Sequence, residues 1–86
     1  MIKEDFEKRC WKFIFEFNNE IKFEKGDVWK DDGQGAYLTV MNNHVIITTT
    51  DKGFCSDGPK MSVKFNGYCE TIDDFDMICK MIRLKI

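Results

Sequence analysis

The sequence predicts one small α+β domain: an N-terminal helix, a three-stranded antiparallel sheet and a C-terminal helix, with both helices packed on one sheet face. Three observations carry this. Apolar residues recur at helical spacing over residues 5–21, an alternating β-branched hairpin follows at 36–50, and a capped amphipathic segment begins at Thr71. The chain of 86 residues is a single domain, 1–86, able to bury roughly 60 to 65% of its unfolded surface.

In the first element Phe6, Cys10, Phe13, Ile14, Phe17 and Ile21 fall on one helical stripe, with Lys8, Lys12, Glu16 and Asn19 opposite. A rival reading exists, since Trp11, Phe13, Phe15 and Phe17 also alternate as in a strand. The helix is preferred because it accounts for more apolar positions over a longer span. It leaves Trp11 and Phe15 off the main stripe.

Gly26, Asp31, Asp32, Gly33 and Gly35 mark a turn-rich connection, with a short strand possible around Trp29. Residues 36–41 and 44–50 then read as a hairpin, because Asn42-Asn43 can accept the positive φ angles of a two-residue turn. That turn sets Met41 opposite His44, Val40 opposite Val45, Thr39 opposite Ile46, Leu38 opposite Ile47 and Tyr37 opposite Thr48. Val40, Val45, Leu38 and Ile47 form a core face, and Met41, His44, Thr39, Ile46, Tyr37 and Thr48 a half-polar one.

Residues 51–60, with Gly53, Asp57, Gly58 and Pro59, read as a loop with Phe54 and Cys55 near its tip. A third strand follows, with Met61, Val63 and Phe65 on one face. Thr71, three residues before Asp74, caps the last helix. Asp73, Asp74 and Asp76 suit its positive end, and Lys80, Arg83 and Lys85 its negative end. Ile72, Phe75, Ile78, Cys79, Ile82 and Ile86 make its core stripe. Met77, Met81 and Leu84 make another, expected as a seam between the helices or, failing that, as an adaptable contact surface.

Composition excludes several function classes. Thirteen basic against fifteen acidic residues give a net charge of −2, which argues against binding nucleic acid directly through its backbone. The apolar runs are too short for a membrane span. Cys10, Cys55, Cys69 and Cys79 contain no C-x-x-C pair, and the charged start Lys3-Glu4-Asp5 is no signal peptide, so free thiols in a cytoplasmic protein are expected, without metal or cofactor. Cys10 and Cys79 fall in core stripes, leaving Cys55 and Cys69 as the candidate exposed thiols. Gly33-Gln34-Gly35 lacks the third glycine of a phosphate loop, and Asp27, Asp31 and Asp32 fail the calcium-loop spacing. His44, the single histidine, has no assured acid or nucleophile beside it, so no enzyme is expected.

What remains is aromatic residues set among acids: Trp29 beside Asp27, Asp31 and Asp32, and Phe54 beside Asp51 and Asp57. Exposed, such rings anchor protein interfaces, and acids around them steer toward a basic partner. Folded back, Trp29 would only close the core edge. With Asp73 and Asp76 added, the expected partner-binding set is Asp27, Trp29, Asp31, Asp32, Phe54, Asp57, Asp73 and Asp76.

In its size, its acidic character and its order of elements, from the helix around Phe13 through the Val40/Val45 hairpin to the helix capped by Thr71, the chain resembles the small inhibitors encoded by phages and mobile elements, including anti-CRISPR proteins. The resemblance rests on no motif, so it carries over no residue. It implies a non-enzymatic protein that blocks a basic or nucleic-acid-binding surface of a bacterial effector in the host cytoplasm. The alternative expectation is an oligomerising regulatory or antitoxin-like module, a homodimer through Tyr37, Thr39, Met41 and Ile46 or through Trp11 and Phe15.

Overall fold

A computed structural model describes residues 1–27, 35–55 and 58–84, and for 51–55 and 58–60 the description is of the backbone. The elements run α1 (Lys3–Glu7), β1 (Lys12–Phe17), β2 (Glu20–Gly26), β3 (Gly35–Met41), β4 (His44–Cys55), β5 (Gly58–Tyr68) and α2 (Ile72–Met81). The strands form one antiparallel meander in the order β1-β2-β3-β4-β5. The fold class is the expected α+β, but the sheet has five strands rather than three.

The difference lies in residues 8–26. The helix ends after Glu7, Cys10 takes a left-handed φ of 69°, and the Trp11 N–H donates back to the Phe6 carbonyl at 3.1 Å. This is the wrapped end that stops a helix. Asn18 and Asn19 then take φ of 52° and 65°, the two positive angles of a type I′ hairpin turn. They return the chain so that Phe17 faces Glu20 and Phe13 faces Phe23. The strand reading of 11–17 is therefore the correct one.

A bulge between Phe13 and Phe15 explains why neither period fitted cleanly. Phe13 packs toward the core with Phe23, their ring centroids 6.2 Å apart. One residue later the alternation is reset, and Phe15 and Phe17 point the other way.

The β3–β4 hairpin has the expected register throughout, from Met41 opposite His44 to Tyr37 opposite Thr48, and Leu38, Val40, Val45 and Ile47 are all buried. Residues 51–55 and 58–60 are strand, with Phe54 opposite Pro59 and Cys55 opposite Gly58 beyond an irregularity after Thr50, where a loop was expected. A second bulge, at Lys64, separates the pairs Ile47–Phe65 and Thr48–Val63. Phe65 accordingly packs on the core, whereas Val63 and Met61 are exposed.

The core joins both helices to the inner sheet face. Phe6 of α1 lies 5.1 Å from Phe23 and 5.0 Å, edge-on, from Phe75 of α2, and Trp11 lies 6.2 Å from Phe75. Full burial of such a ring is worth about 1.5–3 kcal/mol, with about 0.5–1.5 more from a well-oriented aromatic pair. Trp11 is thus a core residue, and Cys10, expected in the core, is exposed. Thr50 Oγ1, buried, accepts from the Gly35 N–H at 3.1 Å and donates to its carbonyl at 3.2 Å, fastening the start of β3.

The expected cap on α2 is present: Thr71 Oγ1 accepts from the Asp74 N–H at 3.1 Å. The helix stops at Met81, where Arg83 takes φ of 56° and the Leu84 N–H donates to the Cys79 carbonyl. Met77 and Met81 stand exposed, so the expected helix-to-helix seam is not formed by them, while Ile82 and Leu84 pack on the core. No helix is long and apolar enough to cross a membrane among the described residues.

Candidate functional site

The helices and the inner sheet face consume Phe6, Phe23, Leu38 and Phe75, and strand alternation places the remaining side chains of the sheet on the opposite face. The pairings resolve that face into three rows running edge to edge. The first is Phe17, Glu20, Met41, His44 and Tyr68; the second Phe15, Lys22, Thr39, Ile46 and Asn66; the third Lys12, Glu24, Tyr37, Thr48 and Val63. At its edges Phe17 is 68% exposed and Tyr68 79%, and Phe15, Met41, Met61 and Val63 are exposed between them. Among the described residues no element packs on it.

Large apolar side chains exposed together mark an interaction surface more often than scattered ones do. The bulges are what put them here, since each reverses the alternation and sends Phe15, Phe17, Val63 and Met61 outward.

Two pairs of polar groups engage each other on the face. Lys22 Nζ lies 3.5 Å from Glu20 Oε1 along β2. His44 Nε2 is hydrogen-bonded to Asn66 Oδ1 at 2.5 Å, and its ring meets that of Tyr68 edge-on at 6.0 Å. Partial burial pushes the Tyr37 hydroxyl above its ordinary pKa, and the negative charge of Glu24 adds to the rise. A depression of about 530 Å³ opens between the second and third rows, lined by Ile14, Phe15, Lys22, Glu24, Tyr37 and Met61, with Thr39 and Thr48 beside them.

The groups with possible chemistry are placed differently from a reactive constellation. His44 is bonded to an amide rather than an acid. Cys69, expected to be exposed, is buried and donates to the Thr71 carbonyl at 3.4 Å, and burial raises its thiol pKa. Cys79 is pushed up to about 11, also by burial. No three His, Cys, Asp or Glu side chains converge as a metal site among the described residues.

The residues proposed from sequence fall into three groups. Trp29, Asp31, Asp32 and Asp57 lie outside the described residues, and Phe54 is described only through its backbone pairing with Pro59. Asp27 is exposed directly after β2. Asp73 and Asp76 are exposed one turn apart on α2, but Asp76 is engaged: Arg9 Nε and Nη2 donate to its two carboxylate oxygens at 2.6 and 2.8 Å.

Sequence reasoning reached the centre of the sheet face, Tyr37, Thr39, Met41 and Ile46, and named Phe15 only as a separate contact with Trp11, but missed Phe17 and the edge on β5. The alternation from Trp11 to Phe17 was the available signal. Comparison with family models, with curated proteins and with solved structures finds no match to this chain.

Proposed function

We propose that this chain is a non-enzymatic protein-binding domain that docks a protein partner on the open face of its sheet. The observation that carries the reading is the row from Phe17 to Tyr68, which places exposed rings at both edges of the sheet with Met41 between them. Rings supply large contact area to an interface at low conformational cost, and methionine adapts its shape to a partner. Lys12 and Lys22 are matched on the same face by Glu20 and Glu24, so the clustered positive charge that nucleic-acid backbones require is missing from it.

The inhibitor class suggested by size and element order fits this reading: a small rigid domain occupying a functional surface of a bacterial effector. Its placement moves from the acidic loops to the sheet. The test is capture from bacterial lysate by three immobilised proteins side by side: wild type, Phe17→Ser/Tyr68→Ser, and Asp31→Lys/Asp32→Lys. A partner retained by the wild type and the loop variant but lost by the sheet variant supports the reading. A partner lost only by the loop variant moves the site back to the acidic connection. Light scattering on the wild type completes the test, since a dimer dissociated by Phe17→Ser/Tyr68→Ser would identify the partner as a second copy.

A further inference from the structure

The depression beside Tyr37 differs from the rest of the open face in its chemistry. Its walls include the aromatic side chains of Phe15 and Tyr37 together with Ile14 and Met61, and Glu24 brings a carboxylate to it. Lys22 also lines it, but its ammonium is drawn to Glu20, 3.5 Å away. Among the described residues no cation pairs with Glu24, although Lys12 stands opposite it on β1. The charge of Glu24 is felt at the neighbouring Tyr37 hydroxyl, whose proton it helps retain.

Elsewhere in the molecule aromatic faces already carry cations. Lys3 Nζ sits 4.3 Å from the Phe13 ring centroid and Lys25 Nζ 5.5 Å from that of Trp11. Among the described residues no such cation lies over Phe15 or Tyr37. Rings with a carboxylate beside them match a guanidinium, which stacks on the ring face and donates two hydrogen bonds to the acid. The volume of about 530 Å³ lies within the range of sites that hold small molecules.

We infer that this depression receives an arginine side chain of the protein partner, stacked against Phe15 and Tyr37 with its guanidinium paired to Glu24. The inference rests on the open sheet face being the docking surface. It adds the partner's chemistry: a basic side chain within the contact, with the apolar groups of Phe17, Met41 and Val63 elsewhere on the same face.

The experiment is an amide-resonance NMR titration of the intact chain with the capped tripeptide acetyl-Gly-Arg-Gly-amide, with citrulline, leucine and glutamate versions as controls. Citrulline keeps the size and shape of arginine and removes its charge. The arginine peptide is expected to shift Phe15, Glu24, Tyr37 and Thr48, and to bind at least fivefold more tightly than the citrulline peptide. Glu24→Gln should bring the two to equality, and Phe15→Leu, which keeps an apolar wall but removes the ring, should weaken arginine binding severalfold.

Equal binding of arginine and citrulline by the wild type, or shifts confined to Asp73 and Asp76, would overturn the inference. So would a single-stranded oligothymidylate that shifts the same resonances more strongly. If the arginine peptide fails while Phe17→Ser/Tyr68→Ser still abolishes capture of the partner, the arginine site falls and the docking face stands. If the sheet variant also retains the partner, both fall.

Discussion

Arg9 and Asp76 are joined as a two-toothed fork, Nε to one carboxylate oxygen at 2.6 Å and Nη2 to the other at 2.8 Å, tying the chain just after α1 to the middle of α2. Arg9 Nη1 also donates to the Asp5 carbonyl at 2.9 Å, which fixes the guanidinium against α1. The fork ties together two helices that are far apart in sequence. It also gives Asp76 a structural role of its own.

Its cost can be bounded and its pH dependence signed. Both groups are partly solvated, so Arg9→Ala or Asp76→Asn should destabilise by about 1 kcal/mol at most. The hydrogen bond from Arg9 holds the Asp76 carboxyl below its ordinary range. A depressed pKa contributes stability above the unfolded value, about 3.9, and that contribution is lost as pH falls through the folded value. Urea unfolding of wild type and Asp76→Asn should therefore differ at pH 6 and converge in strongly acidic solution.

The Asn18-Asn19 turn provides a test of the β1–β2 hairpin itself. Both residues hold positive φ, where a β-branched side chain is strained by about 1–2 kcal/mol. Asn19→Val should lower the thermal midpoint, whereas Asn19→Gly should leave it unchanged or raise it. In a continuous helix over this segment the glycine would be the damaging substitution.

Thr71→Ala removes the side-chain acceptor of the Asp74 N–H, and should cost about 1 kcal/mol. Serine at the same position should restore most of it. The readout is the chemical-denaturation midpoint of the three proteins.

Thiol reactivity should separate the cysteines by burial. In a Cys55→Ser background, iodoacetamide at pH 8 should modify exposed Cys10 first, while Cys69, buried, and Cys79, whose thiol is pushed up to about 11, resist. Mass spectrometry of a time course gives the order.

How much of this could be read from sequence depended on whether one period ruled a segment. In β3 and β4 the alternation is unbroken from Tyr37 to Thr48, and Asn42, with φ of 55°, marks the turn. The register and the core face followed directly. Thr71 and the charge order of α2 were equally plain. Around Phe13 to Phe17, by contrast, a bulge superimposes two faces on one run of rings, so apolar positions satisfy helical spacing by coincidence. At Lys64 the same device separates Phe65 from Val63. Both bulges contribute to the open face: the one that made β1 resemble a helix and the one that mixed the faces of β5 are the features that build the candidate site.

The methionines allow the most direct test of that site, because Met41 and Met61 mark the open sheet face while Met77 and Met81, 62% and 73% exposed, mark α2. With methyl-labelled methionine in this chain and a deuterated, captured partner added, methyl NMR reads the two surfaces at once. The account predicts that Met41 and Met61 shift or broaden and that Met77 and Met81 stay as they are. Perturbation of Met77 and Met81 with Met41 and Met61 unchanged would place the partner on the helix and contradict it.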